Sequence, residues 1–333
     1  MTKSLHHNRR RLATLGCGGL TALAVCAPGA VLAQTAYPSK PVRIVVGQAP
    51  GGATDLVART LTGRLTEALG HSVIVDNRTG AAGSIGAGMV AKSAPDGYTL
   101  LLVSSSFAIN PSLYSKLPFD PLKDLAPVIL LAEAPFLLVV HPSLPVRSVA
   151  DLVKLARAKP DALNYASGGT GSSGHLAGEL FKGAAGVNMV HVPHKGAGPA
   201  LTDTIAGQVD LTFASMISSL QHVRSSRLRA LAVSSLTRFN SLPNVPTLDE
   251  VQPGYTSTVD WFGFLGPAAL PQPIVTRLNA EINKALNSPD IKGKFEAQSV
   301  QIIGGTPEEF AATMKSEYAV YAKVAKSAGI NPE

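Results

Sequence analysis

The chain has 333 residues, 45% of them hydrophobic and 15% charged, with a formal net charge of +7 at pH 7. That length and apolar content suffice to bury one large or two medium cores. Four of the 29 basic residues and none of the 22 acidic ones lie in residues 1–33, which leaves +3 on the remainder, and that remainder has no lysine- or arginine-rich run with interleaved aromatics to suggest nucleic-acid binding. Residues 1–33 read as an export signal: Lys3, Arg9, Arg10 and Arg11 precede a small, apolar stretch that closes on Val31-Leu32-Ala33. The expectation is a periplasmic protein beginning at Gln34, exported by the general secretory or the twin-arginine route, although Asn8 stands where the latter signal usually has Ser or Thr. Both cysteines, Cys17 and Cys26, fall inside this signal, so the mature chain would have no disulfide, no cysteine nucleophile and no cysteine-ligated metal.

The apolar run Val42–Val46 predicts a strand that passes through a glycine-rich turn into an amphipathic helix over 55–69, with a stripe at Val57, Leu61, Leu65 and Ala68. Backbone N–H groups of Gly51, Gly52, Ala53 and Thr54 would stand at the positive end of that helix, where a carboxylate or phosphate can accept them. The alternative is an ordinary turn in which Thr54 or Asp55 caps the helix. Further strands are expected at 73–75, at 100–103 before the loop Ser104-Ser105-Ser106, and separately at 128–131 and 136–140, with a helix over 84–92. Ser148 and Asp151 make a capping box for a helix over 149–158.

A strand over 164–166 leads into a loop with Gly169-x-Gly171-x-x-Gly174, the spacing of a dinucleotide fingerprint. The acidic residue that should follow about 20 positions on is missing until Asp203. The hydroxyls of Thr170, Ser172 and Ser173 with neighbouring N–H groups therefore read better as a second anion cradle, the alternative being a flexible loop. A helix over 176–185, a strand over 189–192 and the loop with His194 and Lys195 come next; Lys195 would either neutralise an anion or lie in solvent. Then come a helix over 199–206, a strand over 209–213, a helix over 215–223, strands over 228–233 and 262–265, and a long helix from Thr306, boxed by Glu309 and striped by Phe310, Met314, Tyr318, Tyr321 and Ala325. This alternation is parallel-rich α/β architecture. No Pro-, Gly- or Ser-rich linker divides the halves, so two interleaved lobes are expected, 34–137 with 237–333 and 138–236.

The chain has no Gly-x-Ser-x-Gly elbow, no phosphate-loop lysine motif and no His-Glu-x-x-His. His191 and His194 flank Pro193 and lack a third donor in sequence reach, so neither metal nor cofactor is expected. Ser172, His175 and Asp210 would suit a secreted hydrolase or lyase built on the serine-rich loops, and a passive receptor is the other class.

The segments YPSKPVRIVV, APGGATDLVAR, NRTGAAGSIGAGMVAKSAPDGYTLL, VHPSLPVRSVADL, NYASGGTGSSGHLAGE and HVPHKGAGPALTDTIAGQVDL, in that order, resemble the tripartite tricarboxylate transporter substrate-binding proteins, also called the Bug or TctC family. The resemblance covers about residues 37–330. It implies a two-lobed, Venus-flytrap periplasmic binding protein that holds a small carboxylate and serves a membrane permease or a sensor kinase, with the mature chain soluble and monomeric. Carried onto this chain, the implied contacts are Gly51, Gly52, Thr54, Asp55, Ser105, Ser106, Gly169, Thr170, Gly171, Ser172, His194, Lys195 and Ser215. Two positions depart from the family pattern: His194 stands where Tyr is common, and Ala214-Ser215 where some members have Asp-Asn. Without a carboxylate at Ala214 an amino-acid ligand loses its ammonium partner. Neutral donors suit a monocarboxylate, or a dicarboxylate whose far end meets water, with Trp261 and Phe262 either facing its tail or packing in the core.

Overall fold

The computed structural model describes residues 37–114, 116–255 and 258–327; the export-signal reading lies outside these residues. In chain order the elements are β1 (Val42–Val46), α1 (Ala53–Leu69), β2 (Val73–Asn77), α2 (Ser84–Ala91), β3 (Thr99–Ser104), α3 (Asn110–Leu113), β4 (Leu125–Val140), α4 (Val149–Ala158), β5 (Asn164–Ser167), α5 (Ser173–Ala185), β6 (Val190–Pro193) and α6 (Ala197–Ile205). They continue with β7 (Leu211–Ser215), α7 (Met216–Arg224), β8 (Arg229–Val233), α8 (Leu248–Val251), β9 (Val259–Pro267), α9 (Gln272–Leu286), α10 (Pro289–Ala297), β10 (Gln301–Ile302) and α11 (Pro307–Ser327). A 3-10 turn, Ser105–Ile109, follows β3. No described helix is long and apolar enough to cross a membrane.

The strands run in the order β2-β1-β3-β9-β4-β7-β5-β6, with β8 and β10 also paired to β4. Pairing is parallel within β2-β1-β3 and within β6-β5-β7, and antiparallel wherever β4 or β9 takes part. Burial on both faces explains the continuous apolar runs. In β1, Ile44 and Val46 face a core built with α1, α9 and α10, while Val45 faces a second core with α2 and α11. In β4, Leu138 and Val140 pack toward α4 and α5, and Leu137 and Val139 toward α7. Each fully buried Leu or Val contributes about 1.5–3 kcal/mol.

Two separate strands were expected over 128–131 and 136–140, and the structure has one 16-residue strand there. Glu133 and Pro135 make the sequence look interrupted, yet Pro135 stays in register opposite Val259, and the ladder absorbs the irregularity through register shifts at Pro127/Ile129 and Leu130/Ala132. At Phe136 the strand exchanges β9 for β7 and β8 as partners. Both capping boxes form: Ser148 Oγ accepts from Asp151 N at 3.1 Å, and Thr306 N donates to Glu309 Oε2 at 2.8 Å while Glu309 N donates to Thr306 Oγ1 at 3.2 Å.

Candidate ligand-binding site

Loops beyond the carboxyl ends of β1, β3, β5, β6 and β7 meet around a cavity of about 70 Å³. At roughly 10–15 Å³ per water, that is room for about half a dozen waters or a small organic acid. Four helices begin on its wall, at Gly52 (α1), Ser172 (α5), Gly196 (α6) and Ser215 (α7). Ser172 caps α5 by accepting from His175 N, whereas α1, α6 and α7 have no side-chain cap. Their first N–H groups therefore keep donor capacity, and each terminus carries roughly half a positive elementary charge. Ser215 Oγ and Gln48 Oε1, both on the cavity wall, are buried without a protein partner. Thr54, Ser104 and Ser106 add hydroxyls, and Phe136 and Phe213 supply apolar wall.

The lining includes no lysine or arginine and a single carboxyl, that of Asp260. Asp260 Oδ1 accepts from Ser105 Oγ at 2.6 Å, and Ser105 Oγ lies 2.8 Å from Ser173 Oγ. Burial pushes this carboxyl up to about 7, against the bonds from Ser105 and Ser173 that favour its ionised form. Sequence reasoning missed Asp260 because it sits in a strand, far along the chain from every loop motif; an acidic residue inside the run VDWFGFLG was the available signal.

Of the residues singled out from sequence, Gly52, Ala53, Thr54, Ser104, Ser106, Ser172, Ser173 and Ser215 line the cavity. Ser105 stands one layer behind, holding Asp260. Asp55 turns away: it accepts from Gly51 N at 3.0 Å, Arg59 Nε at 2.9 Å and Asn77 Nδ2 at 3.0 Å. Burial acts to raise the Asp55 carboxyl, and Arg59, Gly51 and Asn77 together hold it below its usual range. Gly51 N is thus already engaged, and its positive φ of 80° sets the turn instead. His194 is bonded through both ring nitrogens, to Val192 O and Asp203 Oδ2, and Lys195 and Thr170 are exposed.

The three glycines after β5 have packing duties. Gly169 sits at φ 118°, Gly171 at φ 75° with its Hα side against Leu113, and a Cβ on Gly174 would lie 2.6 Å from Phe213 O. Ser172, His175 and Asp210 do not assemble: His175 Nδ1 accepts from Gly171 N at 3.1 Å, and Asp210 Oδ2 accepts from Asn164 N at 2.7 Å. His175 stacks on His191 at 4.0 Å between ring centroids, and burial lowers both, His191 to about 4, so both are neutral at pH 7. Trp261 and Phe262 pack in the core, with Trp261 Nε1 bonded to Glu317 at 3.1 Å.

Loop 49–52 also touches the start of α6 closely. A Cβ on Gly196 would lie 2.7 Å from Ala49 Cβ, and one on Gly198 2.6 Å from Pro50 O.

The family model described as "Tripartite tricarboxylate transporter family receptor" matches residues 57–329. This chain belongs to that receptor family. Among curated relatives, Protein BugT of Bordetella pertussis is 39% identical over 324 residues, 96% of this chain and 98% of BugT. Among solved structures, R. palustris Rpa4515 with adipate shares 39% identity at a TM-score of 0.86, covering 89% of this chain and 100% of that one. The periplasmic binding protein BugD has 32% identity and a TM-score of 0.86 over 89% of this chain and 100% of its own. MatC from Rhodopseudomonas palustris with bound malate has 31% identity and a TM-score of 0.82 over 86% and 99%. The family fold is thus the two-lobed α/β architecture of periplasmic solute receptors, as the resemblance in sequence implied.

Proposed function

We propose that this chain is a passive periplasmic receptor that closes around a small carboxylate in the cavity and hands it to a tripartite membrane permease or presents it to a sensor. The observation that carries the reading is the convergence of four helix N-termini on one buried space, together with a buried, unpartnered Ser215 Oγ and no lining lysine or arginine. Such a wall offers neutral donors and dipoles to an anion. Two relatives of the same architecture hold adipate and malate. Three or four hydrogen bonds to a charged group, at about 1.5–3 kcal/mol each, give affinity between about millimolar and micromolar when the strongest of them outweigh an association cost of at least about 4 kcal/mol.

Our assignment of the lobes is 34–137 with 237–333, and 138–236. It is supported by the exchange of partners at Phe136 of β4 and by the end of β8 at Val233. On this assignment the cavity draws wall from both lobes. The ligand class we favour is an aliphatic or aromatic monocarboxylate, or a dicarboxylate whose far end meets water, over an amino acid or citrate. A receptor, unlike a hydrolase or lyase, returns its ligand unchanged. Thermal-shift and calorimetric screening against adipate, malate, benzoate, citrate and glutamate, with recovery of the acid by chromatography, tests this. Binding of adipate, malate or benzoate with full recovery supports the reading; binding of none of them, or their conversion, rejects it.

A further inference from the structure

The cavity proposed to hold an anion contains a carboxyl of its own. Asp260 is 6% exposed and faces a space with no lining lysine or arginine, and none of the ion pairs among the described residues includes it. The elements around it bring no compensating cation. The 3-10 turn offers Ser105, and α5 offers Ser173 and a His175 kept neutral by burial. On α5, Lys182 is paired with Glu179 at 2.8 Å, and Glu179 also accepts from Tyr165 Oη. From α11 come Tyr321, which senses the Asp260 charge, and Glu317, which is occupied by Trp261. From β4 comes Glu133, itself raised by burial and by Glu317.

An ionised Asp260 beside a bound carboxylate would place two like charges in a low-dielectric space with only dipoles to oppose them, which costs more than protonating one of them. We propose that Asp260 is a ligand-recognition residue that meets the bound acid as a neutral carboxyl donating its O–H to the ligand's carboxylate, so that binding takes up one proton at Asp260. This deepens, and rests on, the carboxylate-receptor reading. In the step, the proton moves from solvent to Asp260 Oδ and no covalent bond of the ligand changes. The competing role, an ionised Asp260 paired with the ammonium of an amino acid, is disfavoured because four helix N-termini meet the same space, and their potential repels a cation. The free carboxyl, raised to about 7, is poised for the change near neutrality.

The test is calorimetry of wild-type protein with adipate at pH 6.5, 7.5 and 8.5, where free aliphatic carboxyls are ionised, in phosphate and in Tris, whose different ionisation heats count protons. Uptake should rise toward one proton per adipate at pH 8.5, and affinity should weaken by up to about tenfold per pH unit above neutrality. Asp260→Asn, which keeps a donor and loses the proton, should bind adipate without uptake and with affinity flat across this range. No uptake in the wild type, uptake that persists in Asp260→Asn, or binding that tightens with pH would each overturn the proposal, the last with glutamate as probe assigning the ammonium role. If no acid binds the wild type, the receptor reading fails on its own. The carboxyl resonance of Asp260 in ligand-free, 13C-labelled protein then still decides: titration in the ordinary aspartate range removes the basis for a proton at this position.

Discussion

Replacing Gly198 by alanine should weaken ligand binding while leaving the unliganded fold intact. Gly198 is the second residue of α6 and has no left-handed backbone requirement, so alanine there improves helix propensity by up to about 1 kcal/mol. Its Cβ would however lie 2.6 Å from Pro50 O and 3.3 Å from Gly52 N, backbone atoms of the loop that carries the α1 half of the cavity. Relief requires the loop and α6 to separate by close to an ångström. Overpacking of this kind costs about 1–3 kcal/mol, and if the cost falls on the closed, ligand-holding arrangement it becomes a loss of affinity of roughly 5- to 150-fold. Calorimetry with adipate measures the affinity, and small-angle scattering of the saturated protein reports whether closure is incomplete. Unaltered affinity in a variant of unaltered melting temperature would refute the idea that contact between loop 49–52 and α6 belongs to the binding-competent state.

Ser215→Ala should leave thermal stability within about 0.5 kcal/mol, since the hydroxyl has no protein partner, and reduce acid binding roughly 10- to 150-fold by removing one donor to a charged group; equal affinity would place Ser215 outside the contacts. Gly174→Ala should lower stability by about 1–3 kcal/mol in urea titrations, because its Cβ meets Phe213 O, with melting at the wild-type temperature as the contrary outcome. For His191 the folded value lies below the unfolded one, so between pH 6.5 and about 4 the unfolded chain binds more protons and stability should fall as pH falls. His191→Gln should flatten part of that decline in urea midpoints, and an unchanged slope would assign it to other groups.

Much of this architecture is legible in the sequence because it rests on local rules. The α1 stripe is buried as its period requires, with Leu69 replacing Ala68 at its end. Both capping boxes form between residues three apart. The helices over 272–286 and 289–297 were not foreseen, although Val275, Leu278, Ile282 and Ala285 recur at helical spacing in the first, and neither was the continuity of β4, whose partner β9 lies more than a hundred residues away. In the site, most positions found from sequence lie at helix starts, among them Gly52, Thr54, Ser172 and Ser215, with Ser106 in the turn after β3, because the order strand, turn, helix is a local signal. Asp55 and His194 carry the right chemistry but are turned to Arg59, Asn77 and Asp203, and no spacing rule reveals which way a side chain faces. Asp260 reaches the cavity only because β9 lies between β3 and β4.

That insertion also governs the order in which the molecule can be completed as it is synthesised. Until residue 267 has left the ribosome, β3 and β4 have a gap between them where a nine-residue strand belongs, and the buried faces of Leu102 and Leu130 lack their partners Phe264 and Gly263. Pairings of such long sequence separation form slowly and reward the chain only at the end. Most of the polypeptide must therefore exist before β3 and β4 can be joined through β9.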